Sequence, residues 1–341
     1  MQKKISVFCV DLGYSLKKNL QDWKKNHKSY PGHILYGVNH MEENGLNLVF
    51  EFGQHGMVYG KWYKYADELL KLISLFVKCK QIDAIWIPHA GYSKWIPILR
   101  KLRLIRVPVI GCLHNKNNLR CFIYGLDKVI TINPRLYDRL CQKYPDKKKD
   151  ISYIPLAPEL VEMTDSTVEK SVDVVSIGNT KRDFRVLIKA MQNLPYSCRI
   201  ISTKINYQGN IPKNVEIIDH EISYEECLRQ YAAAKVIVIS LSDDVGEGVF
   251  GLTSLVDAFT VSKPLVITKT KGIGIPVAEW KCGIEVNNQA EMTEAIKRLL
   301  EDTAYREEIR KNIEDRKKSF NMPDSSSRIS QVIKDAVGYI G

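Results

Sequence analysis

The run GEGVFGLTSLVDAFTVSKPLVIT, residues 246–268, passes from a glycine-containing loop to a helix-forming segment, then through Lys263-Pro264 into a short apolar strand. The apolar KVIVISL (235–241) stands before it, so the order is strand, loop, helix, strand. Short unbroken apolar runs suit strands buried on both faces, and helices between them make the sheet parallel. A loop that opens a helix offers free backbone N–H groups and the positive end of the helix dipole, which together favour phosphate. Gly251 permits close backbone approach, Leu252 begins the helix, and Thr253 and Ser254 add hydroxyls in its first turn. Asp257 is i+4 from Thr253 and i+3 from Ser254, so the spacing places all three on one face. A carboxylate there would accept hydrogen bonds from ribose hydroxyls. The plain alternative is a loop-to-helix connection with no ligand.

Working outward, the second half repeats the alternation. DVVSIG (173–178), CRIISTK (198–204), VEIID (215–219), PLVITK (264–269) and GIEV (283–286) read as strands, with helices at 182–193, 223–234 and 290–301 and a charged helix to about 319. The first half does the same. Ile5–Val10, HILYGV (33–38), NLVFEF (47–52), DAIWIP (83–88), VPVIGCLH (107–114) and KVITIN (128–133) are strand candidates, with helices over 62–80 and 92–104. YPDKKKDISYIPLAPEL (144–160) reads as a linker or edge segment. The pattern predicts an α/β protein of two Rossmann-like, doubly wound domains facing a central cleft, over 1–155 and 156–320. Residues 321–341 are expected as a C-terminal tail or helix, with a return to the first domain one option.

VDVVSIGNTKRDFRVLIKAM (172–191) is a second place where a strand ends in polar residues before a helix. Thr180, Lys181 and Arg182 stand where a crevice opens, and a fixed cation there stabilises a departing diphosphate. Asp183 is placed to cap the helix. In the first half, PVIGCLHNKN (108–117) puts His114 at a strand end, and DLGYSLKKN (11–19) puts Gly13 in the first strand-to-helix loop. A strand-end histidine is as often a hydrogen-bonded structural residue as a functional one.

These segments resemble GT-B glycosyltransferases, in particular the retaining family 4 (glycosyl transferases group 1). The family's donor segment is Gly-x-[Thr/Ser]-x-x-x-Glu-Ala-x-x-x-Gly-Lys-Pro. Gly251, Thr253, Ala258, Lys263 and Pro264 fall on it. Asp257 replaces the ribose-binding glutamate and Ser262 the glycine. The earlier glutamate that contacts the donor sugar is Val249 here, with Glu247 two residues away. The family's Gly-Arg is Gly178-Asn179, so Arg182 or Lys181 would grip the phosphates in its place. By the same resemblance, His114 stands near the donor sugar and Gly13 faces the donor phosphates. The likeness is close over 172–300 and loose over 1–160.

Bulk properties narrow the partners. Residues 1–150 hold 26 Lys+Arg and 12 Asp+Glu, a net +14; the rest of the 50 and 39, namely 24 and 27, give −3. The basic field of the first half is either a solvated surface or an attraction for anions. Within it, KWIPILRKLRLIR (94–106) mixes cations and apolar residues, as an anionic membrane interface requires, although a core helix fits it as well. No apolar run is long enough to span a membrane, and the six apolar residues after the N-terminal lysines are too few for a signal peptide. The eight cysteines form no C-x-x-C pair, which points to reduced core thiols and no metal site. No helix-turn-helix, zinc or RNA-sheet motif supports nucleic-acid binding.

The resemblance implies transfer of a hexosyl unit from a nucleotide-diphosphate sugar, first of all a UDP-sugar, to a hydroxyl of a glycan or lipid-linked saccharide. It further implies retention of configuration and no cofactor or metal. The expected place is the cytoplasm, with the basic half against the inner face of the membrane. Two alternatives fit the same residues: a sugar-nucleotide epimerase, and a non-catalytic GT-B partner subunit.

Overall fold

The structure is a computed structural model that describes residues 4–11, 15–51, 61–78, 80–89, 93, 95–114, 123–161, 171–205, 207–246 and 248–338. The chain divides into two compact units, Met1–Leu156 with Met322–Gly341, and Ala157–Asn321. Each holds a six-stranded parallel sheet among the described residues.

In the first unit the strands are β1 (Ile5–Cys9), β2 (Leu46–Phe50), β3 (Ala84–Ile87), β4 (Val109–Leu113), β5 (Lys128–Thr131) and β6 (Ile151–Tyr153), in the order β2-β1-β3-β4-β5-β6. The helices are α1 (Leu16–Lys25), α2 (Lys61–Lys78), α3 (Trp95–Lys101) and α4 (Pro134–Lys143). From β1 to β2 the chain steps one way, and every later connection steps the other. Right-handed crossovers therefore put α1 on one face and α2, α3 and α4 on the opposite one. The core agrees: Leu75, Ile96, Leu136 and Leu140 from those three helices pack with Phe8, Ile85, Ile87, Val109 and Val129 from the strands. Central strands covered on both faces have no polar side, and all four residues of β3 are buried. The helix starts are locally encoded. Ser15 Oγ accepts from Lys18 N at 3.2 Å, and Asn133 caps α4 with Pro134 at its first position.

Residues 33–38, expected as a strand, form short 3₁₀ turns instead, Gly32–Leu35 and Val38–His40. Tyr36 and Gly37 have φ of 50° and 83°, which turns the chain between them. A six-residue apolar run carries no period that separates a strand from a buried turn. Of the two readings of residues 144–160, linker or edge segment, the structure shows the edge: Pro145–Asp150 is a 3₁₀ turn leading into the edge strand β6.

In the second unit the strands are β7 (Val174–Ile177), β8 (Cys198–Ile201), β9 (Val215–Ile218), β10 (Val236–Ile239), β11 (Leu265–Thr268) and β12 (Gly283–Val286), ordered β12-β11-β10-β7-β8-β9. The helices are α5 (Phe184–Met191), α6 (Tyr224–Ala233), α7 (Leu252–Thr260), α8 (Gln289–Glu301) and α9 (Thr303–Lys317). The chain starts in the middle of the sheet at β7, moves outward through β8 and β9, then crosses back to β10 on the other side of β7. The loops after β7 and β10 therefore diverge, and a crevice opens at their carboxyl ends. α7 is the most deeply set of these helices; Leu255, Val256, Ala258 and Phe259 are wholly buried.

The last helix, α10 (Met322–Gly338), belongs to the first unit and lies against β3, β5 and residues 38–40. Ile333 is wholly buried. Ser326 Oγ donates to Gly37 O at 2.7 Å, and Ser325 Oγ to Pro155 O at 3.2 Å.

Cys9, Cys112 and Cys198 are free and buried in strands, and burial pushes their thiols up. Among the described residues no helix is long and apolar enough to cross a membrane.

Candidate functional site

β7 ends at Ile177 and Gly178, and the next residues are pinned from three sides. Ser242 N donates to Lys181 O and Asp183 N to Ser240 O, each at 3.1 Å, which zips the loop to the end of β10. Asn179 Oδ1 accepts from Ser202 Oγ at 2.8 Å and Thr203 N at 2.9 Å, at the end of β8. Asp183 caps α5 by accepting from Arg185 N at 3.1 Å. The position where the family pattern has arginine thus holds an asparagine that fixes the loop.

Arg182 is the consequence. Gly178 has φ 141°, and a Cβ there would stand 2.7 Å from Arg182 Nη2 and 2.8 Å from Nε. Only glycine lets the guanidinium lie across the backbone at this point. Nη2 donates to Ser254 Oγ at 2.7 Å. Ser254 Oγ and Tyr231 OH each donate to Ile177 O at 3.4 Å. Nε and Nη1 are buried and have no hydrogen-bond partner among the described residues. An unpaired buried donor costs about 1–3 kcal/mol, and more when charged. Burial holds the guanidinium below the ordinary arginine value, against the pull of nearby Tyr231.

The start of α7 adds to the same charge. Gly251 is its N-cap at φ 83°, and no side chain caps the helix. Its first-turn N–H groups and the positive dipole end stand beside Ser254, which holds Arg182. A bound anion would meet a guanidinium and a helix N-terminus together.

One turn on, Asp257 is buried and Oδ1 accepts from Tyr224 OH at 2.8 Å. Burial pushes its carboxyl up to about 7, against the hydrogen bond from Tyr224. The expected common face of Thr253, Ser254 and Asp257 is split: Ser254 and Asp257 are buried, Thr253 is exposed. The edge of the core runs between them, because Asp257 projects between the other two around the helix.

The other expected residues are more scattered. Thr180 is exposed. Lys181, at φ 54°, is exposed and ion-pairs with Asp244. Leu252 is buried and its N–H donates to Val249 O at 3.2 Å. Gly13 and Glu247 lie outside the described residues. Among the described residues no group of three His, Cys, Asp or Glu could hold a metal.

His114 belongs to the first unit, after β4. Its ring stacks on His89 at 4.0 Å and meets Tyr36 edge-on at 4.9 Å. Nε2 donates to Pro88 O at 3.2 Å. A carbonyl only accepts, so the proton sits on Nε2, and Nδ1 is left as an acceptor. Burial, then His89, push the ring down to about 3, so it is neutral at ordinary pH.

Sequence reasoning missed Tyr224, Tyr231 and His89. The two tyrosines are seven residues apart and share a face of α6, but no local signal ties that helix to Asp257 or Ile177.

Residues 169–316 match the model of the family described as glycosyl transferases group 1. No curated protein sequence matches the chain. Among solved structures, sucrose-phosphate synthase from Thermosynechococcus elongatus superposes with a TM-score of 0.72 at 12% identity, over 98% of this chain and 100% of that one. HepE from Anabaena, solved with UDP and glucose, gives 0.65 at 13%, over 97% and 100%. The lipopolysaccharide outer core galactosyltransferase WaaB gives 0.62 at 11%, over 97% and 99%. At these identities the likeness shows the fold, which is GT-B.

Proposed function

With residues 169–316 a glycosyl transferases group 1 segment and the chain in the GT-B fold, we propose that this glycosyltransferase moves a hexosyl unit from a UDP-sugar to a hydroxyl of a glycan or lipid-linked saccharide, in the synthesis of a surface polysaccharide or glycoconjugate. The observation that carries the reading is Arg182, whose buried Nε and Nη1 have no partner among the described residues beside an uncapped helix start. A diphosphate supplies the acceptors that this arrangement lacks. Support for the nucleotide comes from HepE, which was solved with UDP and with UDP-glucose.

In this reading the bond between the anomeric carbon and the diphosphate breaks, the acceptor oxygen bonds to that carbon, and the hydroxyl proton passes to an oxygen of the departing diphosphate. The negative charge that grows on the diphosphate is met by Arg182 and the first turn of α7. Neither has to move, because Ser254 and Gly178 already fix the guanidinium. Lys181 joins by exchanging Asp244 for phosphate. Thr180, Gly251, Leu252 and Thr253 line the phosphates. Asp257 receives the ribose, sharing its carboxyl with Tyr224. Transfer proceeds with retention and without a metal.

Calorimetric titration with UDP, GDP and UDP-sugars tests the donor site. Wild type is expected to bind one nucleotide at micromolar Kd. Arg182→Ala should weaken it at least about 100-fold, since two charge-assisted hydrogen bonds are lost at about 1.5–3 kcal/mol each. Absence of binding by any nucleotide would sink the assignment and leave the non-catalytic partner subunit.

A further inference from the structure

The stretch KWIPILRKLRLIR resolves into two parts with different surroundings. α3 buries Ile96 and Pro97 in the core, as an ordinary sheet-packing helix does. The turn after the helix is exposed. Arg103 has φ 61°; Leu104 N donates to Leu99 O and Arg103 N to Arg100 O, both at 2.9 Å. This is the Schellman ending of a helix, with arginine where glycine is usual. In such endings the residue after the left-handed one packs back on the helix. Here Leu104 is 61% exposed, and Leu102 is 62% exposed.

The turn is braced from behind. Arg100 forks Asp127 at 2.8 and 2.7 Å and donates to Ile105 O at 3.0 Å and Arg106 O at 2.8 Å. Two leucines are therefore held outward on fixed backbone. Beside them is a groove of about 470 Å³ lined by Lys101, Arg103, Arg106 and Lys147. The groove's acid, Asp127, is already engaged by Arg100.

α2 lies on the same face of the sheet, and it too turns apolar residues outward. Leu69, Ile73, Phe76 and Val77 are all exposed, at the spacing of one helical stripe. Exposed apolar side chains at this spacing form a stripe and not scattered single ones.

We propose that this face of the first unit docks on an anionic lipid bilayer, with Leu102 and Leu104 entering the acyl boundary and the groove's cations meeting lipid phosphates. Insertion and charge attraction reinforce each other in such binding. The net +14 of residues 1–150 extends the attraction beyond the contact. The same charge argues against a second copy as the occupant, since it would bring like fields together. Exposed leucines argue against a nucleic acid, which is met by stacking aromatics and polar groups. None of these residues belongs to the donor site, so lipid docking and nucleotide binding can fail separately.

The test is co-sedimentation of the full chain with vesicles of equal parts phosphatidylglycerol and phosphatidylcholine, against phosphatidylcholine alone. Wild type should sediment with the anionic vesicles only, and less so in high salt. Leu102→Ser/Leu104→Ser and Arg103→Glu/Arg106→Glu should each lower the partition coefficient at least about tenfold. All four positions are exposed, so unchanged melting curves show that the variants fold. Failure to sediment with anionic vesicles overturns the proposal. So does a leucine variant that binds as wild type, because charge alone then suffices. Tighter binding to a single-stranded RNA than to the vesicles, lost in the same arginine variant, also overturns it.

Discussion

The guanidinium Nε and Nη1 of Arg182 and the carboxyl of Asp257 are buried within the second unit, and each pays for burial differently. Arg182 keeps its charge and leaves two donors for a ligand; Asp257 gives up its charge near neutrality. The carboxyl titrates near 3.8 in an unfolded chain and at about 7 in the folded one. Between those values the folded state binds more protons, so stability falls as the pH rises from about 4 to about 7 and is flat above. Asp257→Asn keeps an oxygen for Tyr224 and does not titrate. It is expected to melt above wild type at pH 8, by on the order of a few kcal/mol, and to lose the slope. Melting curves at pH 5 and pH 8 decide it; an Asn variant with the wild-type slope would place the pH dependence elsewhere. Gly178→Ala belongs to the same scale. Its Cβ displaces the end of a flexible arginine more than the fold, so UDP affinity should drop about tenfold or more, while φ 141° adds roughly 1–2 kcal/mol of strain. Titration beside a melting curve separates the two effects. Arg182, Ser254 and Asp257 were legible because each stands at a strand end or a helix start. Tyr224 was not, since its partner is 33 residues away and only the packed sheet brings them together.

At the scale of elements, the strands of both sheets other than β6 showed plainly in the sequence because strands covered on both faces are unbroken apolar runs; β6, a three-residue edge strand, lies in the segment read as a linker or edge. HILYGV shows the limit of that signal. Its side chains are as apolar as a strand's, but Leu35 and Val38 are buried inside two tight turns, the second of which α10 covers. A hydroxyl closes that contact: Ser326 Oγ is buried on Gly37 O at 2.7 Å. Gly37 O also accepts from His40 N at 3.0 Å, so Ser326→Ala removes one of its two donors and is expected to cost about 0.5–1.5 kcal/mol. Chemical denaturation should show the loss. A variant as stable as wild type would mean that the bond from His40 N suffices for Gly37 O. The helix boundaries differ from expectation by a few residues where caps decide them. α3 stops at Lys101 because Arg103 takes a left-handed turn, an ending without the glycine that usually marks it.

For the whole molecule, the first unit is built from two separated pieces of chain and the second from one. Ending the chain at Asn321 removes α10, and with it the cover of β3 and β5. The expected result is an early melting transition for the first unit and an unchanged one for Ala157–Asn321, visible as two peaks in calorimetry. A single unshifted transition would contradict it. The same discontinuity sets an order on the ribosome. Synthesis delivers the first unit's sheet first, yet its covering helix emerges only after the entire second unit has been made. At about 5–20 residues per second, roughly 10–40 seconds separate Leu156 from the end of α10. The unit made last is the first that can finish folding. Through that interval the nascent first sheet shows the faces of β3 and β5 to water, and a chaperone that occupies them would leave only when α10 arrives.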